Sequence, residues 1–348
     1  MKAVQFTAPE QIMIAEVPIP EIADNEVLAK VAFAGFCATD IDLLTGNMVH
    51  IKNGFTTYPL IPGHEWSGVI EKVGKNVLDF KVGDRVTSDV SLGCGECEMC
   101  RLGRYNLCPN RFVIGTYRNR QGVFAEYVAA PQRHLYKIPD ALSLEEAALA
   151  EPAATAAYAV KRAGIKMADS VMVIGDGPIG QLAAQLARLN GAAKIIVVGS
   201  WDEKLKIALE CGANVTLNYH RDEVVSGALE ATNGRGPDVI IESSGNKIAP
   251  NLAIKALRPG GTIVFISWYP DVEVPVQMNN AIAKDCNIVG ALASPNCFSQ
   301  VLTYMARGLL KTAPLITHIE PIEKIAEIIT MIRAKKSYRN KILFKLGA

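Results

Sequence analysis

Excess charge of either sign is missing from this chain: 36 Lys and Arg stand against 35 Asp and Glu over 348 residues, and no block of like charge occurs. That removes the electrostatic footprint of a nucleic-acid binder. A long apolar run is missing too. The most apolar stretch, 147–160, is broken by Glu151 and Pro152, and none reaches the roughly 18 residues a membrane helix needs. The first residues, Met1 to Phe6, alternate like a strand and carry neither the hydrophobic region nor the cleavage site of a secretory signal. A content of 49% hydrophobic and 20% charged residues excludes a disordered or collagen-like chain. The expectation is a soluble globular protein of the cytoplasm, with neither nucleic-acid nor membrane partners. At roughly 150 residues per domain, its length predicts two domains.

The eight cysteines are unevenly spread. Cys37, Cys211, Cys286 and Cys297 are scattered, whereas Cys94, Cys97, Cys100 and Cys108 crowd one short loop-like segment. A disulfide framework belongs to small secreted chains with too little core, so the crowd reads as thiolates gathered around a metal. Three closely spaced thiolates can converge from one chain reversal, and a fourth closes a tetrahedron around Zn²⁺, the pattern of a structural site. The rival is an iron–sulfur cluster, since ferredoxin runs begin the same way and end in Cys-Pro, as Cys108-Pro109 does. Their last gap is about three residues, however, and it is longer here.

Texture changes along the chain. Up to about residue 150, short β-branched runs (27–33, 68–73, 85–90, 127–130) alternate with Gly, Pro and Asn, which predicts an antiparallel, barrel-like module. After Pro152, apolar runs at 171–174, 195–198, 215–217, 238–241, 262–266 and 288–292 alternate mostly with helical stretches. That alternation predicts βαβ units and a parallel sheet of six strands, the count of a complete dinucleotide-binding fold. From about Pro295 come two more helical stretches and a last strand at 341–345.

Two further motifs carry chemistry. Gly175-x-Gly177-x-x-Gly180 follows the first of those apolar runs and opens a helix. The first glycine permits the tight turn, the second admits a pyrophosphate against bare backbone, and the third lets helix and strand pack closely. The helix N-terminus offers N–H groups to the phosphates. The other motif is Gly63-His64-Glu65-Trp66-Ser67-Gly68, preceded by Cys37-Ala38-Thr39-Asp40. Taken singly, Cys37 reads as a small buried hydrophobe and the His-Glu pair as ordinary polar side chains. Taken together, a thiolate, an imidazole and a carboxylate form the ligand set of an open catalytic zinc site, with Glu151 a further carboxylate at the junction of the two textures.

These residues, with the turn Val82-Gly-Asp-Arg-Val86, resemble over essentially the whole chain the zinc-dependent medium-chain alcohol dehydrogenases of the polyol branch, the sorbitol, threonine and sugar-alcohol dehydrogenases. The resemblance implies an α/β protein: a GroES-like β-barrel catalytic domain at 1–151 and 295–348, and a Rossmann doubly wound parallel-sheet domain at 152–294. It implies two Zn²⁺ per chain. Cys37 and His64 match the fixed catalytic ligands, and Glu65 the glutamate that enters or leaves the coordination sphere. Glu151 matches a carboxylate that binds the metal directly or through its water. Cys94, Cys97, Cys100 and Cys108 hold the structural ion. Thr39 matches the hydroxyl that accepts the substrate proton, and Asp40 a carboxylate beside the histidine ligand. Asp42 stands where many relatives end a proton relay with histidine. The reaction implied is interconversion of a secondary alcohol (a polyol, sugar-alcohol phosphate, cyclitol or amino alcohol) and its ketone, by a homodimer or homotetramer. A zinc-less enone or quinone reductase and a non-catalytic nucleotide binder are the alternatives.

The nicotinamide cofactor would be held by Gly175, Gly177, Pro178, Ile179, Gly180, Gly199, Ser200, Tyr219 and Ser267. At the end of the second parallel strand, NAD-using relatives carry an acid for the ribose hydroxyls, where this chain has Gly199-Ser200. NADP-using relatives read Gly-Ser-Arg, with a tyrosine farther on; here Trp201 replaces the arginine, and Tyr219 matches. Lys204 or Lys206 would then supply charge. Alternatively, Asp202 reaches the ribose. On the missing strand-end acid, NADP(H) is favoured over NAD(H).

Overall fold

The computed structural model describes residues 1–269, 273–334 and 337–347. The chain divides into two compact units, one of Met1–Glu151, Ser294–Ala306 and Ile316–Ala348, the other of Pro152–Ala293 and Arg307–Leu315.

The first unit is built around the strand Glu26–Gly35, whose Val, Ala and Phe side chains are nearly all buried. It pairs antiparallel with Glu65–Val73, Tyr127–Pro131 and Lys341–Lys345. Arg85–Ser88 and Leu135–Lys137 extend one side, and Ile316–Pro321 runs parallel to Lys341–Lys345 at the other. Fully buried Phe124 and Phe344 meet edge to face at 5.4 Å, and Phe36 packs on both. Strand register decides which residues meet at the sheet's end. Gly35 lies opposite both Glu65 and Leu343, so Phe36-Cys37, His64-Glu65 and Lys341-Ile342 converge there.

The second unit contains β1 (Ser170–Ile174), β2 (Lys194–Gly199), β3 (Val215–Asn218), β4 (Val239–Glu242), β5 (Thr262–Phe265) and β6 (Asn287–Gly290). All pair in parallel in the order β3-β2-β1-β4-β5-β6. β1 and β2 are apolar runs buried on both faces, as crossover helices require. Helix α1 (Pro178–Leu189) starts with proline, whose missing N–H costs nothing there, and buries Leu182, Ala183, Leu186 and Ala187. Helix α2 (Asp202–Glu210) follows β2.

The tail does not stay whole. Residues 307–315, expected with the catalytic unit, group with the second unit instead. Gln185 of α1 explains why: its amide donates to the Lys311 carbonyl at 3.1 Å and accepts from the Lys311 N–H at 2.8 Å. Lys311 Nζ also donates to the Glu210 carbonyl at 3.3 Å. Side chain-to-backbone bonds of this kind leave no trace in hydrophobic periodicity. Among the described residues, no helix is long and apolar enough to cross a membrane.

Candidate functional site

At the converging strand ends, single ligand atoms of Cys37, His64 and Glu65 all lie within 4.8 Å of one another. Each is placed by local necessity. Cys37 precedes the helix Ala38–Thr45, and the Asp40 carboxylate accepts from the Cys37 N–H at 2.9 Å, closing the first turn. The same carboxylate accepts from the Gly63 N–H at 3.3 Å and stands 4.0 Å from His64 Nδ1, tying the cysteine and histidine segments together. Gly63 has φ +88°, and a Cβ there would meet the Phe124 ring at 2.4 Å. Gly35 makes room for its cross-strand neighbour, since a Cβ on it would run into the Glu65 carboxylate.

His64 and Glu65 are buried, and Cys37 half-buried. Burial disfavours a charged His64, but the Cys37 sulfur, Asp40 and Glu151 outweigh it and push the imidazole up to about 10. Burial also raises Asp40, to about 6, against the opposing pull of His64 and the Cys37 amide. An imidazole driven toward its protonated form reports a surplus of negative potential, which a divalent cation would satisfy while the ring stayed neutral. His64 Nδ1 is buried without a hydrogen-bond partner. A cysteine, a histidine and a carboxylate this close, under that potential, fit zinc.

Thr39 and Glu151 complete the expected set differently. The Cys37 thiol donates to Thr39 Oγ1 at 3.6 Å, so that hydroxyl borders the cluster. Glu151 is buried and acts electrostatically on His64 and Lys341, but stands outside the three-residue group. Asp42 is half-buried, and burial raises it to about 6. One residue that sequence reasoning missed is Lys341. Its side chain is 3% exposed; Nζ donates to the Phe36 carbonyl at 2.9 Å and pairs with the Glu65 carboxylate. Burial disfavours its ammonium, yet Glu65, Cys37 and Glu151 hold its pKa above the ordinary lysine value. The one available signal was a lysine placed directly before the apolar run 342–344 of the terminal strand.

The second thiol group, Cys94, Cys97, Cys100 and Cys108, also has its sulfurs within 4.8 Å of one another. A zinc–sulfur bond of ~2.3 Å sets tetrahedral sulfurs ~3.8 Å apart, and those of Cys94 and Cys100 are 3.9 Å apart. This spacing suits one ion and leaves no room for several irons. N–H groups of Cys97 and Cys94 point at the Cys94 and Cys108 sulfurs at 3.4 Å each. Backbone N–H donation lowers Cys94 to about 6, whereas burial pushes Cys100 up to about 12. Arg133 secures the segment by donating to the Gly93 and Cys94 carbonyls.

In the second unit, Gly175 has φ +122°, and a Cβ at Gly180 would lie 2.0 Å from the Gly175 carbonyl oxygen. A Cβ at Gly177 would meet nothing within 4 Å, so space is open over the start of α1. Pro178 and Ile179 form its first turn, an arrangement that suits a pyrophosphate. At the end of β2, the Tyr219 N–H donates to the Gly199 carbonyl at 3.0 Å, uniting Gly199, Ser200 and Tyr219. Ser267 follows β5, half-buried, beside Gly245. Asp176, which the glycine pattern treats as a free position, is buried. Its carboxylate Oδ2 accepts from the N–H groups of Ser200 and Trp201 at 2.7 and 3.0 Å and faces Ser200 Oγ at 3.3 Å.

Residues 23–140 match the family model of the alcohol dehydrogenase GroES-like domain, and residues 178–307 that of the zinc-binding dehydrogenases. A sorbitol dehydrogenase of Bacillus subtilis (strain 168) is 33% identical over 324 residues, 93% of this chain and 91% of the relative. A Sinorhizobium meliloti 1021 protein assigned as a zinc-binding dehydrogenase and solved with NADP superposes with a TM-score of 0.90 at 30% identity, covering 99% of this chain and 98% of its own. The RspB alcohol dehydrogenase of Escherichia coli CFT073, solved with NADH, superposes with a TM-score of 0.90 at 29% identity over 99% of each chain.

Proposed function

The chain belongs to the zinc-dependent medium-chain alcohol dehydrogenases of the polyol branch, and from that premise we propose that Cys37, His64, Glu65 and Thr39 carry the oxidation of a secondary alcohol to its ketone, and the reverse. The observation behind this reading is the three-residue ligand group with a hydroxyl at its border.

Cys37 and His64 are the fixed ligands of the catalytic ion, and Glu65 and Glu151 its exchangeable carboxylates. When bound there, zinc supplies Lewis acidity that lowers the pKa of a substrate hydroxyl. Thr39 takes the hydroxyl proton; Asp42, half-buried and raised by burial to about 6, stands where many relatives carry the histidine that ends the relay. Asp40 keeps the segments carrying Cys37 and His64 in place. Lys341 restrains Glu65, balancing its charge whenever it is off the metal. A nicotinamide cofactor held by the glycine loop of the second unit would supply the hydride acceptor, chemistry that belongs to the cofactor. The balance is alcohol plus oxidised nicotinamide to ketone, reduced nicotinamide and a proton.

A second zinc on Cys94, Cys97, Cys100 and Cys108 is structural, since four thiolates leave no open position. The substrate class is polyols and their relatives: sugar-alcohol phosphates, cyclitols and amino alcohols. The exposed edge strand β6 with Ile288, and exposed Ile282 shortly before it in the chain, suit a homodimer or homotetramer. Eight free thiols suit the reducing cytoplasm.

Metal analysis together with a screen of these alcohols against both nicotinamides, read at the nicotinamide absorbance, tests the whole reading. Two zinc ions per chain and turnover of a secondary alcohol are expected. One zinc per chain would leave only the structural site, and none would favour the zinc-less reductase. Nucleotide binding without turnover would favour the non-catalytic reading.

A further inference from the structure

We infer that Asp176 occupies the anion site at the end of β2 with its own carboxylate, so that the chain selects NAD(H) and rejects the 2′-phosphate of NADP(H). This inference rests on the dinucleotide reading of the glycine loop and reverses the preference expected from the missing strand-end acid.

In dinucleotide-binding folds the residue ending the second strand faces the adenosine ribose, as an acid accepting from its hydroxyls or as part of a set of donors and cations around a 2′-phosphate. The donors here are the Ser200 and Trp201 N–H groups and the Ser200 hydroxyl. All three face one oxygen, Asp176 Oδ2, at 2.7, 3.0 and 3.3 Å. A phosphate would have to displace that carboxylate or bind against its charge.

Sterics lead to the same conclusion. A Cβ on Gly199 would lie 2.5 Å from Asp176 Cβ and 2.6 Å from Oδ2. The acid of the NAD-using pattern and Asp176 would therefore fill the same space, and only one can be present. In this chain the carboxylate arrives from the glycine loop of β1, and position 199 is bare to admit it. A sequence pattern that looks for the acid on β2 finds none.

The neighbouring charges are already committed. Lys204 Nζ stands 3.8 Å from Asp176 Oδ1, the two side chains being 14% and 12% exposed. Asp202, the other acid near the ribose position, accepts from Arg221 Nη1 at 2.8 Å and Asn218 Nδ2 at 2.9 Å. Each of its oxygens already carries one bond, and Arg221 is engaged by a carboxylate. Asp176 Oδ1, facing only Lys204 at long range among these groups, is the oxygen that would accept from the ribose.

The test is calorimetric titration of the zinc-loaded protein with ADP-ribose and with 2′-phospho-ADP-ribose, fragments that report on this end of the cofactor without turnover. Wild type is expected to bind ADP-ribose at least about tenfold tighter. Asp176→Ser removes the charge and frees three donors, so the ratio should shift toward the 2′-phosphorylated fragment by at least about tenfold. Asp176→Asn keeps an acceptor for both N–H groups and hence the loop fold; it should shift the ratio in the same direction. Tighter binding of the phosphorylated fragment by wild type, or an unchanged ratio in both variants, would overturn the assignment. If neither fragment binds, the dinucleotide reading beneath it falls as well.

Discussion

Replacing Lys341 by methionine removes one buried charge while nearly preserving volume, and the structure gives the cost. The Lys341 and Glu65 side chains are 3% and 2% exposed, and the ammonium also serves the Phe36 carbonyl. Breaking a buried pair from one side strands the other charge, at about 3–5 kcal/mol. The orphaned carbonyl adds about 1 kcal/mol, and the methionine methyl recovers part of the loss through apolar burial. A net loss of about 4 kcal/mol corresponds to a fall in Tm of roughly 8–16 °C for a unit of this size. The assay is calorimetric or urea unfolding, as a double-mutant cycle with Glu65→Gln, in a Cys37→Ser/His64→Ala background, where no catalytic ion competes with Lys341 for Glu65. The double variant has no stranded charge, so it should regain more than half of the single variant's loss. A Lys341→Met loss below about 1 kcal/mol, or strictly additive effects in the cycle, would refute the claim that this pair is a coupled buried unit.

Cys37→Ser and His64→Ala should each abolish turnover while leaving the melting temperature and ADP-ribose binding near wild type; retention of most of the rate in either variant contradicts the ligand assignment. Cys97→Ala should do the opposite, lowering thermal stability and the zinc content from two ions to one, because the thiolates of that segment close around the ion. Asp238 accepts from Ser170 N and Oγ, Arg258 and Arg235 within 2.6–2.8 Å. Burial works to raise its pKa, but these partners hold it below the ordinary carboxylate value. Because its folded pKa is depressed, the stabilisation is fully present above the unfolded value near pH 4 and is lost as pH falls through the folded pKa. Asp238→Asn should therefore cost about 2 kcal/mol at neutral pH, with the gap to wild type closing in acid; a pH-independent gap in urea unfolding would show that the charge is not involved.

Much of this protein is legible in its residue order alone. The apolar runs from Val171 onward became a six-stranded parallel sheet because continuous hydrophobicity of that length is stable only when buried on both faces. The four close cysteines could converge from one chain reversal, and they do. What pattern reading could not reach were the partners brought together from distant positions. Lys341 meets Glu65 only because the last strand pairs with Glu26–Gly35 in a register that sets Leu343 opposite Gly35. Glu151 acts on His64 by its electrostatic field, whereas Cys37 and Glu65 share with His64 a group within 4.8 Å, a distinction of distance and direction that no spacing along the chain encodes. Asp176 is the sharpest case. By sequence it is a spacer between two glycines, and position 199 looks like a missing acid; in the fold the two positions compete for one volume, and the carboxylate stands in it. Local pattern determines which elements form and which faces they bury, whereas the pairing of buried charges depends on register between strands far apart in the chain.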